Sequence, residues 1–411
     1  MRNDRYDKGT RGQSYLQEPL QGLIATRPGG VSGFVMRALV LIHGAFGAPG
    51  GIGKFNSDLL KALCLYPRLT EVVALPRHLD QVPASLPSNL RYVAEGTGGV
   101  AAYLATLVRL LMTGHRFDLV ICGHINLLPA AVLCRLRTPA PILLVLHGID
   151  AWQPSRRRLA NWAARRVDYF IAVSETTKRR FLSWAKLPED RGFVLPNCVD
   201  SKQFRPGPRN KELIERYGLE GRTVMMTLAR LDARERYKGI DEILDILPEL
   251  AAKVPDLVYL VAGDGTDRPR LEAKVKSLDL ERHTVFTGYV AEAEKADHYR
   301  LADVFVLAGR KEGFGIVLLE AMACGVPAVA SKLDGSREAV LNGALGVVVD
   351  PTDRADLQAG ILAALQRPTG ASPEGLAHFS YPNFETRLHE ILDLALPTPV
   401  GARVGDSACG R

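Results

Sequence analysis

Short apolar runs alternate with helical periods twice along this chain, and that double alternation constrains its fold more than any other feature. In the first round, residues 38–42, 71–75, 118–122, 142–146 and 169–173 read as strands. Residues 54–65, 100–113 and 129–137 read as helices, the last with Pro129 in its first turn. The segment 195–200, followed by Phe204, Pro206 and Pro208, reads as an exit. The pattern then restarts with strands at 223–228, 257–262, 284–287, 304–307, 328–330 and 346–349 and helices at 240–252 and 268–277. Strands that alternate with helices imply a parallel sheet covered on both faces. The expected class is α/β: two Rossmann-like doubly wound domains facing a cleft, with ligands at the carboxyl ends of the strands. The boundaries are a first domain at 36–208, a second at 209–380 and a closing helix at 381–396. A polar, Gly- and Arg-rich extension (1–35) is expected to be disordered and a tail (397–411) loose. Met36, directly ahead of the first strand, is a candidate biological start; a native chain sequenced from well before it would refute that.

With 411 residues, 47% of them apolar, two cores of ordinary size can form. Six cysteines show no C-x-x-C pairing, and most sit in apolar runs, which points to core residues in a reducing, cytoplasmic compartment. Apolar runs such as 127–133 and 139–146 are too short to span a bilayer, and the N-terminus has no apolar secretory core. The formal charge is +7, with basic clusters at Arg156-Arg157-Arg158, Arg165-Arg166 and Lys178-Arg179-Arg180. Leu159, Trp162, Ala163, Phe170, Phe181 and Trp184 lie between and beyond them. Such a stretch suits a solvated helix face or peripheral contact with an anionic membrane at its inner face. Nucleic acid is not an expected partner, since no nucleic-acid motif accompanies the charge.

Five motifs carry chemistry. In Lys311-Glu312-Gly313-Phe314-Gly315, followed by an apolar helix containing Glu320, two carboxylates stand eight residues apart. Gly325 and Pro327 stop that helix. A carboxylate inside so apolar a turn needs a polar partner. A helix start behind small residues presents free N–H groups to a phosphate or to sugar hydroxyls. Gly47-Ala48-Pro49-Gly50-Gly51-Ile52-Gly53-Lys54 follows the first strand and lets a phosphate approach the backbone. It lacks the G-x-G-x-x-G pattern of a dinucleotide fold. Arg230 and Lys238 flank the turn after the second domain's first strand, where two cations can neutralise a diphosphate. Arg234 and Arg236 lie between them and leave open which cations reach the phosphates. Gly263-Asp264-Gly265 and Phe286-Thr287-Gly288-Tyr289-Val290 close two further strands.

In combination and order these motifs resemble the retaining, GT-B-fold glycosyltransferases of family 4, over roughly residues 38 to 395. The resemblance implies that Glu320 accepts from the ribose hydroxyls and that Glu312 lies near the donor sugar. It places the amides of Gly313, Phe314 and Gly315 on sugar and phosphate, and Gly51 and Gly53 in a loop that meets the diphosphate across the cleft. Arg230 and Lys238 would stabilise the leaving diphosphate in place of a metal, so neither metal nor other cofactor is expected. Gly263, Gly265, Tyr289 and Val290 would lie around the nucleobase. In the first domain His147 would stand beside the donor sugar and the reacting centre, with Glu312, Arg230 and Lys238 as the catalytic set. Asp150 and Trp152, with His124 and Asn126, would face the acceptor. Ser174 reads as a ligand contact or a helix N-cap.

The implied activity is retaining transfer of a hexose from a nucleotide diphosphate sugar to a glycan or lipid-linked acceptor in surface polysaccharide synthesis. The motif set is similar to bacterial mannosyltransferases, so GDP-mannose is the first expected donor and a UDP-hexose the second. A nucleotide-sugar 2-epimerase of the same shape, a catalytically silent sugar-nucleotide-binding protein and an NAD-dependent dehydrogenase stand as alternatives.

Overall fold

The computed structural model describes residues 36–396 apart from 49, 80–82, 84 and 115. The expectations for the N-terminal extension, the start at Met36, the tail and Cys409 concern chain outside those residues. Two wholly parallel sheets organise the described chain. The first comprises β1 (Met36–Ile42), β2 (Leu69–Pro76), β3 (Leu90–Tyr92), β4 (Leu119–Cys122), β5 (Ile142–Leu146), β6 (Tyr169–Ala172) and β7 (Gly192–Val194), in the order β3-β2-β1-β4-β5-β6-β7. The second comprises β8 (Thr223–Leu228), β9 (Leu257–Ala262), β10 (Thr284–Gly288), β11 (Val304–Leu307), β12 (Ala328–Ser331) and β13 (Val347–Val349), in the order β10-β9-β8-β11-β12-β13. Strand order therefore reverses between β1 and β4, and again between β8 and β11. In open α/β sheets ligands gather beyond the carboxyl ends at that reversal.

The central strands are continuous apolar runs because helices cover both of their faces. Leu39 through Ile42, Ile142 through Leu146 and Leu257 through Ala262 are buried almost completely. The last helix, Tyr381–Ala395, returns to the first domain and packs on the helix Gly50–Leu65. His389 Nε2 donates to the Ala62 carbonyl at 2.9 Å, the Tyr66 hydroxyl donates to Asp393 at 2.5 Å, and Phe384 meets Phe55 edge-on. The two domains are thus tied at the back of the cleft as well as by the chain passing between them.

Several local expectations are corrected. The segment 129–137 forms a short helix, Leu128–Leu133, that tightens into a 3-10 turn at Cys134–Leu136. The first helix starts at Gly50, ahead of Lys54, because Gly53 closes the turn: a Cβ there would stand 2.3 Å from the Ala48 carbonyl oxygen. In the basic stretch, Phe170, Phe181 and Trp184 belong to the core, while Leu159 and Trp162 are exposed. Cys64, Cys122, Cys134, Cys198 and Cys324 are free thiols, four of them buried.

Candidate active site

The carboxyl ends of both sheets face one cleft of about 1690 Å³. On the second-domain side, β11 ends at Leu307 and the chain runs through Glu312 to the N-terminus of the helix Ile316–Ala323. Gly315 enters that helix with φ +84°, a conformation that favours glycine. Lys238 follows β8 and reaches back to the same loop, donating to Glu312 Oε2 at 2.7 Å. Gly239 permits that approach, since a Cβ on it would lie 2.1 Å from the Ala308 carbonyl oxygen. Burial alone would lower the Lys238 ammonium, but the Glu312 carboxylate outweighs it and holds the pKa above its ordinary value. Arg230 also lines the cleft, two-thirds exposed and held by Glu235. Arg234 and Arg236 are occupied by Asp232 and Asp267. All four cations of this turn are paired, but Arg230 and Lys238 line the cleft and Arg234 and Arg236 do not.

Glu320 is 2% exposed, yet it lines the same space. Its expected polar partner is the Tyr299 hydroxyl, which donates to Oε2 at 2.7 Å, and the Lys295 ammonium lies 3.9 Å from the same oxygen. Burial raises the carboxyl's pKa and Lys295 opposes that rise. The Glu312 loop is braced from below: Asp334 accepts from the Glu312 N–H at 2.8 Å, and the Gly335 N–H donates to the Glu312 carbonyl at 2.9 Å. Burial pushes Asp334 up to about 6. Val290, Gly263 and the largely exposed Tyr289 line the cleft beyond β9 and β10. Gly265 does not line it; it packs under the Leu231 carbonyl, where a Cβ would come within 2.3 Å.

From the first domain, Gly51, Gly53 and Lys54 at the start of the Gly50–Leu65 helix line the opposite wall. Lys54 is paired with Asp58. A Cβ on Gly51 would sit 3.6 Å from Ile316, so this loop and the Glu320 helix face each other directly. His147, after β5, donates from Nε2 to the Gly123 carbonyl at 2.9 Å, which leaves Nδ1 as its acceptor. Burial lowers its pKa to about 4, so it is neutral at physiological pH. Asp150 lines the cleft with neither buried carboxylate oxygen in a good hydrogen bond; burial pushes it up to about 7, partly offset by nearby backbone N–H groups.

His124 and Asn126 do not reach the lining. His124 Nδ1 caps the turn by accepting from the Asn126 N–H at 3.1 Å, and its Nε2 lies 3.9 Å behind Asp150. Trp152 is buried, donating to Thr177 Oγ1, with Arg180 stacked over its ring. Ser174 is a helix N-cap: it accepts from the Thr177 N–H and donates to the Gly313 carbonyl at 2.7 Å across the cleft. Beside it, Glu338 of the second domain accepts from the N–H groups of Glu175 and Thr176 at the start of a first-domain helix. The Gly313 backbone lies so close to His147 that a Cβ on Gly313 would fall 2.0 Å from the His147 oxygen. The cleft floor is closed, backbone on backbone.

Comparison with known proteins agrees with this architecture. Residues 210–378 match the family model for glycosyl transferases group 1, and residues 50–203 match that for glycosyltransferase family 4. A GDP-mannose-dependent alpha-(1-6)-phosphatidylinositol monomannoside mannosyltransferase of Mycolicibacterium smegmatis is 36% identical over 285 residues, 66% of this chain and 70% of the relative. The chain belongs to the family 4 glycosyltransferases. A phosphatidyl-myo-inositol mannosyltransferase of the same organism is 42% identical over 198 residues, covering 47% of this glycosyltransferase and 46% of the relative. Among solved structures, Anabaena Alr3699/HepE, crystallised with UDP and glucose, superposes with a TM-score of 0.68 at 21% identity, over 87% of this chain and all of the other. That likeness establishes the GT-B fold of the glycosyltransferase.

Lys295, Tyr299 and Asp334 join the site without having been singled out in the sequence. For Asp334 a local signal exists: Asp334-Gly335-Ser336 at a helix start is a capping pattern, and Asp334 does accept from the Ser336 N–H at 3.0 Å. Lys295 and Tyr299 carry no such signal, because only the fold brings their helix beside Glu320.

Proposed function

We propose that this glycosyltransferase moves mannose from GDP-mannose to a lipid-linked or glycan acceptor, with retention at the anomeric carbon. The observation that carries the reading is the Lys238–Glu312 pair at 2.7 Å, set with Arg230 beyond the β8/β11 reversal and opposite the N-terminus of the Gly50–Leu65 helix. That arrangement surrounds a diphosphate with two cations and a helix's free N–H groups. Glu312 then lies where the sugar follows the diphosphate, and buried Glu320 where ribose hydroxyls can donate to it.

The chemistry follows from that placement. As the bond from anomeric carbon to phosphate oxygen breaks, Lys238 and Arg230 stabilise the charge left on the diphosphate, so no resident metal or cofactor is needed. The acceptor hydroxyl attacks from the face the phosphate is leaving and passes its proton to the departing oxygen. Neutral His147 contributes hydrogen bonding beside the reacting centre. Asp150, with two unpartnered oxygens at the first-domain wall, binds acceptor hydroxyls. Closure of the floor excludes water that would hydrolyse the donor.

The mannosyl donor is supported by relatives named for GDP-mannose-dependent transfer, and the lipid-linked acceptor by relatives named for phosphatidylinositol acceptors. A thermal-shift titration with GDP, UDP, GDP-mannose, UDP-glucose and NAD, without added metal, tests the reading. Stabilisation by the guanosine compounds is expected. Stabilisation by NAD alone would overturn it.

A further inference from the structure

The first-domain helix Glu175–Ala185 carries the basic cluster Lys178-Arg179-Arg180, yet the fold takes up each of those charges. Lys178 lies 3.9 Å from Glu189, Arg179 lies 3.9 Å from Glu175, and Arg180 stacks over the Trp152 ring at 3.8 Å. From there Arg180 Nη2 donates to the Leu333 carbonyl of the second domain at 3.1 Å. The first N–H groups of a helix have no partner within it. Ser174 takes that of Thr177, and those of Glu175 and Thr176 are taken from the second domain. Glu338 accepts from the Glu175 N–H at 2.6 Å, the Thr176 N–H at 2.8 Å and the Thr176 hydroxyl at 2.7 Å. One carboxylate on three donors at the positive end of a helix is a strong grip.

Arg180 and Glu338 thus hold the two ends of one second-domain segment, 333–338, against one helix. The middle of that segment holds Glu312 by its backbone: Asp334 accepts from the Glu312 N–H at 2.8 Å, and the Gly335 N–H donates to the Glu312 carbonyl at 2.9 Å. There is no slack between them. A Cβ on Gly335 would stand 2.0 Å from the Gly313 carbonyl oxygen and 3.0 Å from Ser174 Oγ. The same helix also holds the loop after β5. Trp152 Nε1 donates to Thr177 Oγ1 at 3.1 Å, and Trp184 Nε1 donates to the Ala151 carbonyl at 2.8 Å. That loop carries His147 and Asp150 into the cleft.

One rigid rod therefore touches the supports of both walls of the reacting centre. On the reading that Glu312 and His147 flank the donor sugar, we propose that the helix Glu175–Ala185 is the jig that sets the Glu312 loop against the His147–Asp150 loop. Glu338 and Arg180 are the positioning residues that fasten the second domain to it. A misplacement of about 1 Å at a reacting centre can cost about a hundredfold in rate, so the grip matters although neither residue lines the cleft. A contact that merely held the domains together would leave the Glu312 backbone indifferent to Glu338.

Amide hydrogen exchange of the full chain, resolved to single residues and run without substrate, tests the grip directly. Glu338→Ala should speed exchange at Glu175 and Thr176, which lose their acceptor. It should also speed exchange about tenfold or more at Glu312 and Gly335, whose own acceptors are untouched. Glu338→Gln, of equal size, should show the same pattern at smaller amplitude and serves if the alanine variant does not fold. Transfer by Glu338→Ala should slow about tenfold to a hundredfold, with the GDP-induced thermal shift unchanged. Because both grips hold one segment, adding Arg180→Ala should cost less than the product of the two single losses. Faster exchange confined to Glu175 and Thr176, or single losses that multiply, would make Glu338 an ordinary helix cap and overturn the proposal. The exchange pattern does not depend on the donor: where it holds, absence of transfer from GDP-mannose would count against that donor and leave the jig supported.

Discussion

Gly313→Ala tests whether the closed cleft is the working state. Gly313 lies on the second-domain wall, and its φ is outside the left-handed region, so alanine causes no backbone strain there. The added Cβ would instead stand 2.0 Å from the His147 carbonyl oxygen and 2.9 Å from Gly148 Cα. A carbon meets an oxygen comfortably at about 3.3–3.6 Å, so a gap of more than about 1 Å must open. Both walls are backbone, which cannot rotate away as a side chain could. The relief available is separation of the domains, which breaks the Ser174–Gly313 hydrogen bond and loosens Glu338 from the Glu175 helix. Overpacking of this kind costs about 1–3 kcal/mol. Spread over the closed population, that is roughly a tenfold to hundredfold loss in transfer rate. Nucleotide binding should persist, because Arg230, Lys238 and Glu320 stand on the second domain alone. Initial rates, the GDP-induced thermal shift and the radius of gyration by solution scattering measure the three consequences. A variant with wild-type rate and unchanged radius would refute the reasoning.

Lys238→Ala removes a cation from the diphosphate side and should lower kcat by about 10²–10³. Some melting temperature should be lost with it, because both partners are only about a fifth exposed and the variant leaves the Glu312 carboxylate largely buried without its cation. Glu320→Gln keeps an acceptor for the Tyr299 hydroxyl but removes the buried charge that would take ribose hydroxyls; GDP affinity by calorimetry should fall about tenfold with the fold intact. The sign for Asp150 is also fixed: its pKa is raised from 3.8 to about 7, so its contribution to stability is full below about 4 and disappears as pH rises through 7. Asp150→Asn should therefore gain melting temperature over wild type as pH goes from about 5 to 8, by up to about 3 kcal/mol in stability; a pH-independent difference would contradict the burial of that carboxylate.

Much of this was legible in the sequence because parallel strands covered on both faces leave unmistakable apolar runs. The strands from β8 to β13 fall within a residue or so of their expected bounds for that reason. β3 and β7 escaped notice: Leu90–Tyr92 and Gly192–Val194 hold one β-branched residue between them, whereas the equally short edge strand β13 is three consecutive valines. The glycines, Glu312 and Glu320 stood out because backbone demands and a lone carboxylate in an apolar helix are local facts. The Lys238–Glu312 pair, 74 positions apart, and Lys295 beside Glu320 are tertiary facts that no local pattern announces. His124 and Asn126 misled because a histidine after a strand carries the same local signal whether it faces a ligand or caps a turn. Phe170 and Phe181 misled because charge clusters drew attention to neighbours whose own side chains point into the core.

Retaining transfer from a nucleotide sugar is read out most directly at the anomeric carbon itself. GDP-mannose labelled with carbon-13 at that position is incubated with the enzyme and a membrane-lipid extract, and the label is tracked by NMR. The label should move to a lipid-soluble product with its configuration preserved, one GDP released per transfer. An inverted product, or label that stays nucleotide-linked on an epimerised sugar, would contradict it.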